Sequence, residues 1–276
     1  MSYFSKFSLF LFATLFTLSC KKDDKQTEDP KQPVYEVAGV TSNWFKGDRR
    51  SNAAESKITY DKEGRIVLGP LGTGVISFEY YSDKITVKYS NPAPNTVTDY
   101  FTLDEKGRIK SLVRKALMPW DIAMKDYVIQ GFEYNSDGFL SAIVEDGKKV
   151  EFTYSNGNLM SFNDKLKGDN GTTNFVYTDA VSQHLPLAVT VPIYHINSLH
   201  RTPTPINVPF AMAVLYNGGY YGRVSKNQVS EINTPLTSTS YRFIYTKDDN
   251  GHIVKMKETG DTSIDYMEHT FRYVEK

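Results

Sequence analysis

Tyr60-Asp61-Lys62-Glu63-Gly64-Arg65-Ile66 contains the local pattern on which the fold turns. The Asp side chain caps its own turn, and a Gly three places later supplies the positive φ that closes a type I turn into a G1 bulge, so the stretch marks a β-hairpin. The same Asx-x-x-Gly core returns in Leu103-Asp104-Glu105-Lys106-Gly107-Arg108-Ile109, in Tyr134-Asn135-Ser136-Asp137-Gly138-Phe139-Leu140 and in Asp248-Asp249-Asn250-Gly251-His252-Ile253. Tyr154-Ser155-Asn156-Gly157-Asn158-Leu159 is a shorter variant. The glycines from Gly64 to Gly157 are 43, 31 and 19 residues apart, too irregular for a solenoid.

Between these turns the chain alternates with period two. Ile76, Phe78 and Tyr80 share one face while Ser77 and Glu79 share the other, and Ile85-Val87-Tyr89, Val150-Phe152-Tyr154 and Tyr241-Phe243-Tyr245 repeat the pattern. One face is expected to be buried and the other wet. Nineteen Tyr and sixteen Phe favour strands further. Two stretches break the alternation. One runs from Ala116 to Met124 around Pro119 and Trp120; the other is a Pro-rich insertion from Val181 to Asn217. Inside the insertion, Pro209 to Asn217 followed by Gly218 predicts a short helix, with Pro early and Gly just past its end. Such a helix would cover an open sheet end or plug a barrel.

The N-terminus has a different character. Lys6 precedes the apolar run Phe7 to Phe16, too short to span a bilayer, which reads as a secretory leader. It closes on Thr17-Leu18-Ser19-Cys20, which resembles a bacterial lipobox, and Cys20 is the chain's single cysteine. Acylation gives that unpaired thiol a use, and each buried methylene contributes about 0.8 kcal/mol of membrane affinity. The charged, Pro-punctuated tract after it cannot bury a core and is expected to be a disordered tether. Its opening, Lys21-Lys22-Asp23-Asp24, resembles the acidic export signal of outer-face lipoproteins. The expected organisation is a leader at 1–19, a lipidated tether at 20–34 and a single β-meander domain at 35–276. Loss of the leader removes Lys6 and takes 32 basic and 32 acidic residues to 31 and 32, a net charge of about −1. That balance leaves no electrostatic footprint for nucleic acid.

Motifs for catalysis or metal binding do not appear. No phosphate loop, zinc spacing or nucleophile elbow is present, and Asp248 to Gly251 lacks the closing acidic ligand of a calcium loop. His195 and His200, five apart in the insertion, do not make a helical ligand pair, and no cofactor is expected. Paired carboxylates converging only in the fold leave no local signal, so a hydrolase stays open as a third reading. Aromatic residues in irregular segments are the candidate ligand contacts, Trp44, Trp120 and Tyr194 foremost, since exposed rings stack on sugars or anchor protein partners. Tyr216, Tyr220 and Tyr221 belong to the same group, with packing the favoured role for the Tyr220-Tyr221 pair.

The Asx-Gly hairpins resemble YD repeats. Gly219-Tyr220-Tyr221-Gly222-Arg223-Val224-Ser225-Lys226-Asn227, running on to Ile232 and the hairpin Tyr241 to Lys257, resembles the late part of a Bacteroidota lipoprotein family of unknown function with a porin-like β fold (DUF4595-like). Gln228-Val229 departs from the Leu-Pro expected there. The resemblance implies an all-β fold, a long antiparallel meander of hairpins curled into a barrel or half-barrel, with one short helix and the Pro-rich insertion. It brings no catalytic residues. The chain is therefore expected to be a non-enzymatic outer-membrane lipoprotein, exposed on the outer face and touching the membrane through its lipid alone, whose β domain binds a glycan or an envelope protein. A structural part in an envelope assembly is the alternative.

Overall fold

The computed structural model describes residues 35–71, 74–90, 96–117, 123–165, 171–191, 209–234, 239–260 and 263–276. Those residues form one 18-stranded antiparallel sheet. Its strands are β1 (Tyr35–Lys46), β2 (Arg49–Arg50), β3 (Ser56–Lys57), β4 (Thr59–Tyr60), β5 (Ile66–Leu71), β6 (Gly74–Tyr80), β7 (Lys84–Ser90), β8 (Thr96–Leu103) and β9 (Ile109–Leu117). They continue as β10 (Lys125–Tyr134), β11 (Leu140–Glu145), β12 (Lys148–Ser155), β13 (Asn158–Asp164) and β14 (Gly171–Val181). After helix α1 (Pro209–Asn217) come β15 (Asn227–Thr234), β16 (Thr239–Lys247), β17 (Ile253–Thr259) and β18 (Tyr266–Glu275).

From β4 to β18 each strand pairs with the next in sequence, and β18 returns to lie against β1 over Tyr35↔Glu275 to Phe45↔Tyr266. The remaining seam is short. β3 pairs with β1 at Gly39↔Lys57 and Val40↔Ser56, the Ile58 amide donates to the Ala38 carbonyl at 3.0 Å, and two residues later β4 has crossed to β5. No full-length ladder closes this seam, so the meander is a curled, barrel-like sheet stitched at one place.

The turns form as their residues dictate. Asp61 Oδ1 accepts from the Glu63 and Arg65 amides at 3.0 and 2.9 Å, while Asp104 and Asp248 repeat the geometry and Asn135 caps the Phe139 amide. Gly64, Gly107, Gly138 and Gly251 all take positive φ, and a one-residue register shift follows each turn, the bulge expected of the motif. The concave face carries the core: Ile76, Phe78, Ile85, Val87, Val150, Phe152 and Phe243 are buried where the alternation puts them. The outer face carries charge, with cross-strand pairs Glu133–Lys149 at 2.9 Å, Glu151–Lys165 at 2.9 Å and Glu268–Lys255 at 3.2 Å, and the contact of Lys88 with Glu79.

Helix α1 has the bounds that Pro209 and Gly218 predict. Ala211, Ala213, Val214, Leu215 and Tyr216 are all buried, so the helix is apolar nearly all round and lies inside the curled sheet rather than on it. The Phe210 ring covers Gly69, where a Cβ would collide with it. The helix acts as an internal plug.

Candidate functional site

The hairpins with Asx-Gly turns share one end of the sheet, and a second device repeats there. Tyr80, Tyr134, Tyr177 and Tyr273 each donate a hydroxyl hydrogen bond to a carbonyl two residues past a turn glycine: Ile66 at 2.8 Å, Ile109 at 2.6 Å, Leu159 at 2.8 Å and Ile253 at 3.0 Å. The residue just past the glycine stacks on the same ring in three cases. Arg65 lies 4.6 Å from the Tyr80 centroid and Arg108 4.1 Å from that of Tyr134, while the His252 ring stacks on Tyr273 at 5.0 Å. The capping Asp holds each arginine in place, Asp61 to Arg65 Nε at 2.7 Å and Asp104 to Arg108 Nε at 2.9 Å.

The chain between β14 and β15 then visits these turns. Gln183 bridges the Gly251 hairpin, donating to the Gly251 carbonyl at 2.6 Å and accepting from the Ile253 amide at 2.8 Å. After α1, the Tyr220 carbonyl accepts from Ile109, the Arg223 amide donates to Gly138, Ser225 Oγ accepts from Leu159, and the Lys226 amide donates to Gly157. Gly222 is glycine for a reason: at φ +84°, it passes so close to the Gly138 carbonyl that a Cβ would collide with it, and would crowd the Tyr134 ring as well.

Beside the Gly64 hairpin the wrapping leaves a cleft of about 320 Å³. Five tyrosines line it, Tyr35, Tyr60, Tyr80, Tyr220 and Tyr273, with Tyr80 and Tyr220 stacked at 5.7 Å. Arg65, Glu36 and His184 supply its ionisable groups besides the phenols, and each is accounted for. Arg65 pairs with Asp61 and Glu63, and Glu36 pairs with Lys276 at 2.7 Å. His184 keeps contact with solvent, and partial desolvation lowers its pKa, which favours the uncharged ring. Burial pushes the Tyr60 and Tyr273 phenols up to about 12, helped by Glu36 and Asp248 respectively, and pushes Tyr80 up as well. The Tyr60 hydroxyl is also spoken for, donating to the Val37 carbonyl at 2.8 Å. The cleft is thus a neutral, ring-lined recess of the size and character of a small-ligand site.

Two polar clusters lie away from it on the concave face. Tyr89 and Arg114 both bond Asp99, the arginine in bidentate form at 2.6 and 2.7 Å. Ser42 Oγ lies 2.7 Å from His269 Nδ1, whose Nε2 lies 3.2 Å from Glu258. This chain has the residue types of a catalytic relay, yet Ser42 sits in mid-strand opposite His269 in the β1–β18 ladder, with no turn or helix N-terminus to stabilise an oxyanion. Its evident role is to satisfy both nitrogens of a buried ring. Among the described residues no three His, Cys, Asp or Glu side chains form a metal-binding group.

Of the candidate contacts, Trp44 lies nine positions along β1 from Tyr35, about 30 Å away at ~3.3 Å per residue, and is not part of the cleft. Its backbone amide donates to Ser51 Oγ at 2.9 Å at the opposite end of the sheet. Trp120, Tyr194, Cys20 and Lys21, Lys22, Asp23 and Asp24 lie outside the described residues. Tyr221 is buried packing, whereas its neighbour Tyr220 faces the cleft. Tyr60, Tyr80 and Tyr273 carry a signal too faint to single out by sequence, since each occupies an ordinary strand-end position.

Residues 58–255 match the family described as a domain of unknown function (DUF4595) with porin-like fold. No curated protein matches the chain. Among solved structures it is similar to a porin-like protein from Bacteroides uniformis, with a TM-score of 0.60 and 15% identity over 86% of this chain and 96% of that one. A porin-like protein from Bacteroides vulgatus is similar at a TM-score of 0.52 and 14% identity, over 86% of this chain and 98% of that one. At such identities the likeness is one of fold.

Proposed function

This chain belongs to the DUF4595 family of domains with porin-like fold, and from that premise we propose that it is a non-enzymatic lipoprotein of the outer membrane that holds a glycan or protein ligand in its tyrosine-lined cleft. The observation that carries the reading is the cleft itself: the chain's own wrapping segment covers the Gly107, Gly138, Gly157 and Gly251 hairpins and leaves five tyrosine rings around the fifth, at Gly64. One carboxylate, Glu36, is among the described residues lining it, and Lys276 already pairs with it, so the cleft offers no carboxylate pair for hydrolysis. The charged outer face suits a domain held in water by a lipid at Cys20 better than one whose strands face lipid.

Location is tested by protease shaving of intact cells. The wild type should be digested from outside, Cys20→Ala should be released from the membrane fraction, and Asp23→Ala with Asp24→Ala should leave the protein protected until lysis. Digestion only after lysis of wild-type cells would place the domain in the periplasm and remove its external ligands. Binding is tested by screening glycans and envelope proteins against wild type and Tyr220→Ala, whose loss of the Tyr80 stack should weaken capture about tenfold or more.

A structural role in an assembly has its own observation. Val181 on β14 and Ile244 on β16, the strands that flank β15, line one shallow recess and are 68% and 63% exposed, an apolar surface that a partner could cover. Concentration-dependent self-association abolished by Ile244→Lys would favour that role over the cleft.

A further inference from the structure

Five strand pairs share one register at the turn end: Tyr60↔Ile66, Leu103↔Ile109, Tyr134↔Leu140, Tyr154↔Leu159 and Lys247↔Ile253, each with its bulge. In all but the Tyr134↔Leu140 pair, which the Phe139↔Gly222 bridge joins to the wrapping segment, the carbonyl of the second residue is taken by a tyrosine hydroxyl from the next strand pair. In three, the amide of that residue is met by an oxygen of the wrapping segment. Ile109 donates to the Tyr220 carbonyl at 2.7 Å, Leu159 to Ser225 Oγ at 3.1 Å, and Ile253 to Gln183 Oε1 at 2.8 Å. No described residue of the segment makes the equivalent bond to Ile66, and Ile66 lines the cleft.

We propose that the Ile66 amide is the polar anchor of the cleft and that its partner is an oxygen of a neutral saccharide. The inference rests on the cleft being the ligand site, and three features narrow the chemistry. First, the oxygens serving the equivalent amides are a carbonyl, a hydroxyl and a carboxamide, all uncharged. Second, the charges of the cleft are already paired within the protein, so an ionic ligand would lose its hydration without gaining a partner. Third, the hydroxyls of Tyr60, Tyr80 and Tyr273 are committed to backbone carbonyls, so what these residues present to the cleft is apolar ring surface, against which the C–H side of a sugar ring packs.

The test uses the chain carrying Cys20→Ser, labelled with ¹⁵N-isoleucine and titrated with neutral malto-, xylo- and mannohexaose, with oligogalacturonate and with chitosan oligomers. At least one neutral oligosaccharide should bind, shift the Ile66 amide resonance to saturation, and bind Tyr220→Ala about tenfold or more weakly; the acidic and cationic oligomers should not compete. Absence of binding by every neutral saccharide overturns the proposal, as does tighter binding of a charged one. If binding depends on Tyr220 while the Ile66 resonance stays still, the cleft stands as the ligand site and the amide anchor falls. If neither residue responds to a saccharide that binds, both readings fall together.

Discussion

Tyr134 shows how much of this fold passes through single side chains. Its hydroxyl holds the Ile109 carbonyl at 2.6 Å, its ring receives Arg108, and its edge sits under Gly222. Tyr134→Phe keeps the ring and deletes the bond, so it should destabilise the domain by about 1 kcal/mol, read as a lower urea midpoint at unchanged slope. Tyr81→Phe is the control, because Tyr81 is half exposed and bonds only the surface Glu79; its effect should stay within about 0.5 kcal/mol. His184 gives the residue scale its pH dependence. Partial desolvation lowers its folded pKa below the unfolded value of about 6.5, so the unfolded chain takes the proton more readily. The stability it contributes is whole above about pH 6.5 and is lost as pH falls from there toward the lowered folded value. His184→Asn keeps a residue tolerant of the positive φ found there and should flatten the fall in Tm across that window.

At the scale of elements, the glycines separate two kinds of turn. Gly147 closes the two-residue Asp146-Gly147 turn at φ +74° with nothing near its missing Cβ, so Gly147→Ala should cost about 1 kcal/mol of backbone strain. Gly222→Ala adds a collision with the Gly138 carbonyl, and should lose at least about 2 kcal/mol while loosening the wrapping segment. Hydrogen exchange at Arg223 and Lys226 would report that loosening. The contrast also marks what a sequence can disclose. Asx caps and turn glycines act on their own backbone, so the hairpins, the alternating core and α1 are legible residue by residue. The paths of residues 182–191 and 218–226 are not, because their contacts to the hairpins are made largely through amides and carbonyls that every residue type carries. The cleft escapes notice for the same reason: Tyr60, Tyr80 and Tyr273 come from strands far apart in the chain, while Trp44, the more conspicuous aromatic, lies at the other end of the sheet.

At the scale of the whole molecule, the interior among the described residues is mainly apolar, with buried polar groups that include the His269–Glu258 contact and the charge pair of Asp99 with Arg114. Asp99→Ala leaves the guanidinium without its carboxylate and should destabilise by about 3–5 kcal/mol in thermal or urea unfolding, whereas Asp99→Leu combined with Arg114→Met should restore much of that. The largest consequence comes from the β1–β18 pairing. Every other full ladder of the meander joins strands that are neighbours in sequence or, at β14–β15, lie either side of the wrapping segment; this one joins Tyr35 to Glu275. A chain that zips up hairpin by hairpin must therefore carry the β18-facing edge of β1 unpaired until β18 has emerged. A circular permutant joining Lys276 to Tyr35 by a short linker and opened at Asp146-Gly147 turns that longest-range contact into a hairpin. By the logarithm of loop length it lowers the closure penalty by roughly 3 kcal/mol. The permutant should refold faster, at a cost in the now-opened β11–β12 hairpin. In the native order, the first strand made is the one that waits longest, a reservation held open for a partner that is synthesised last.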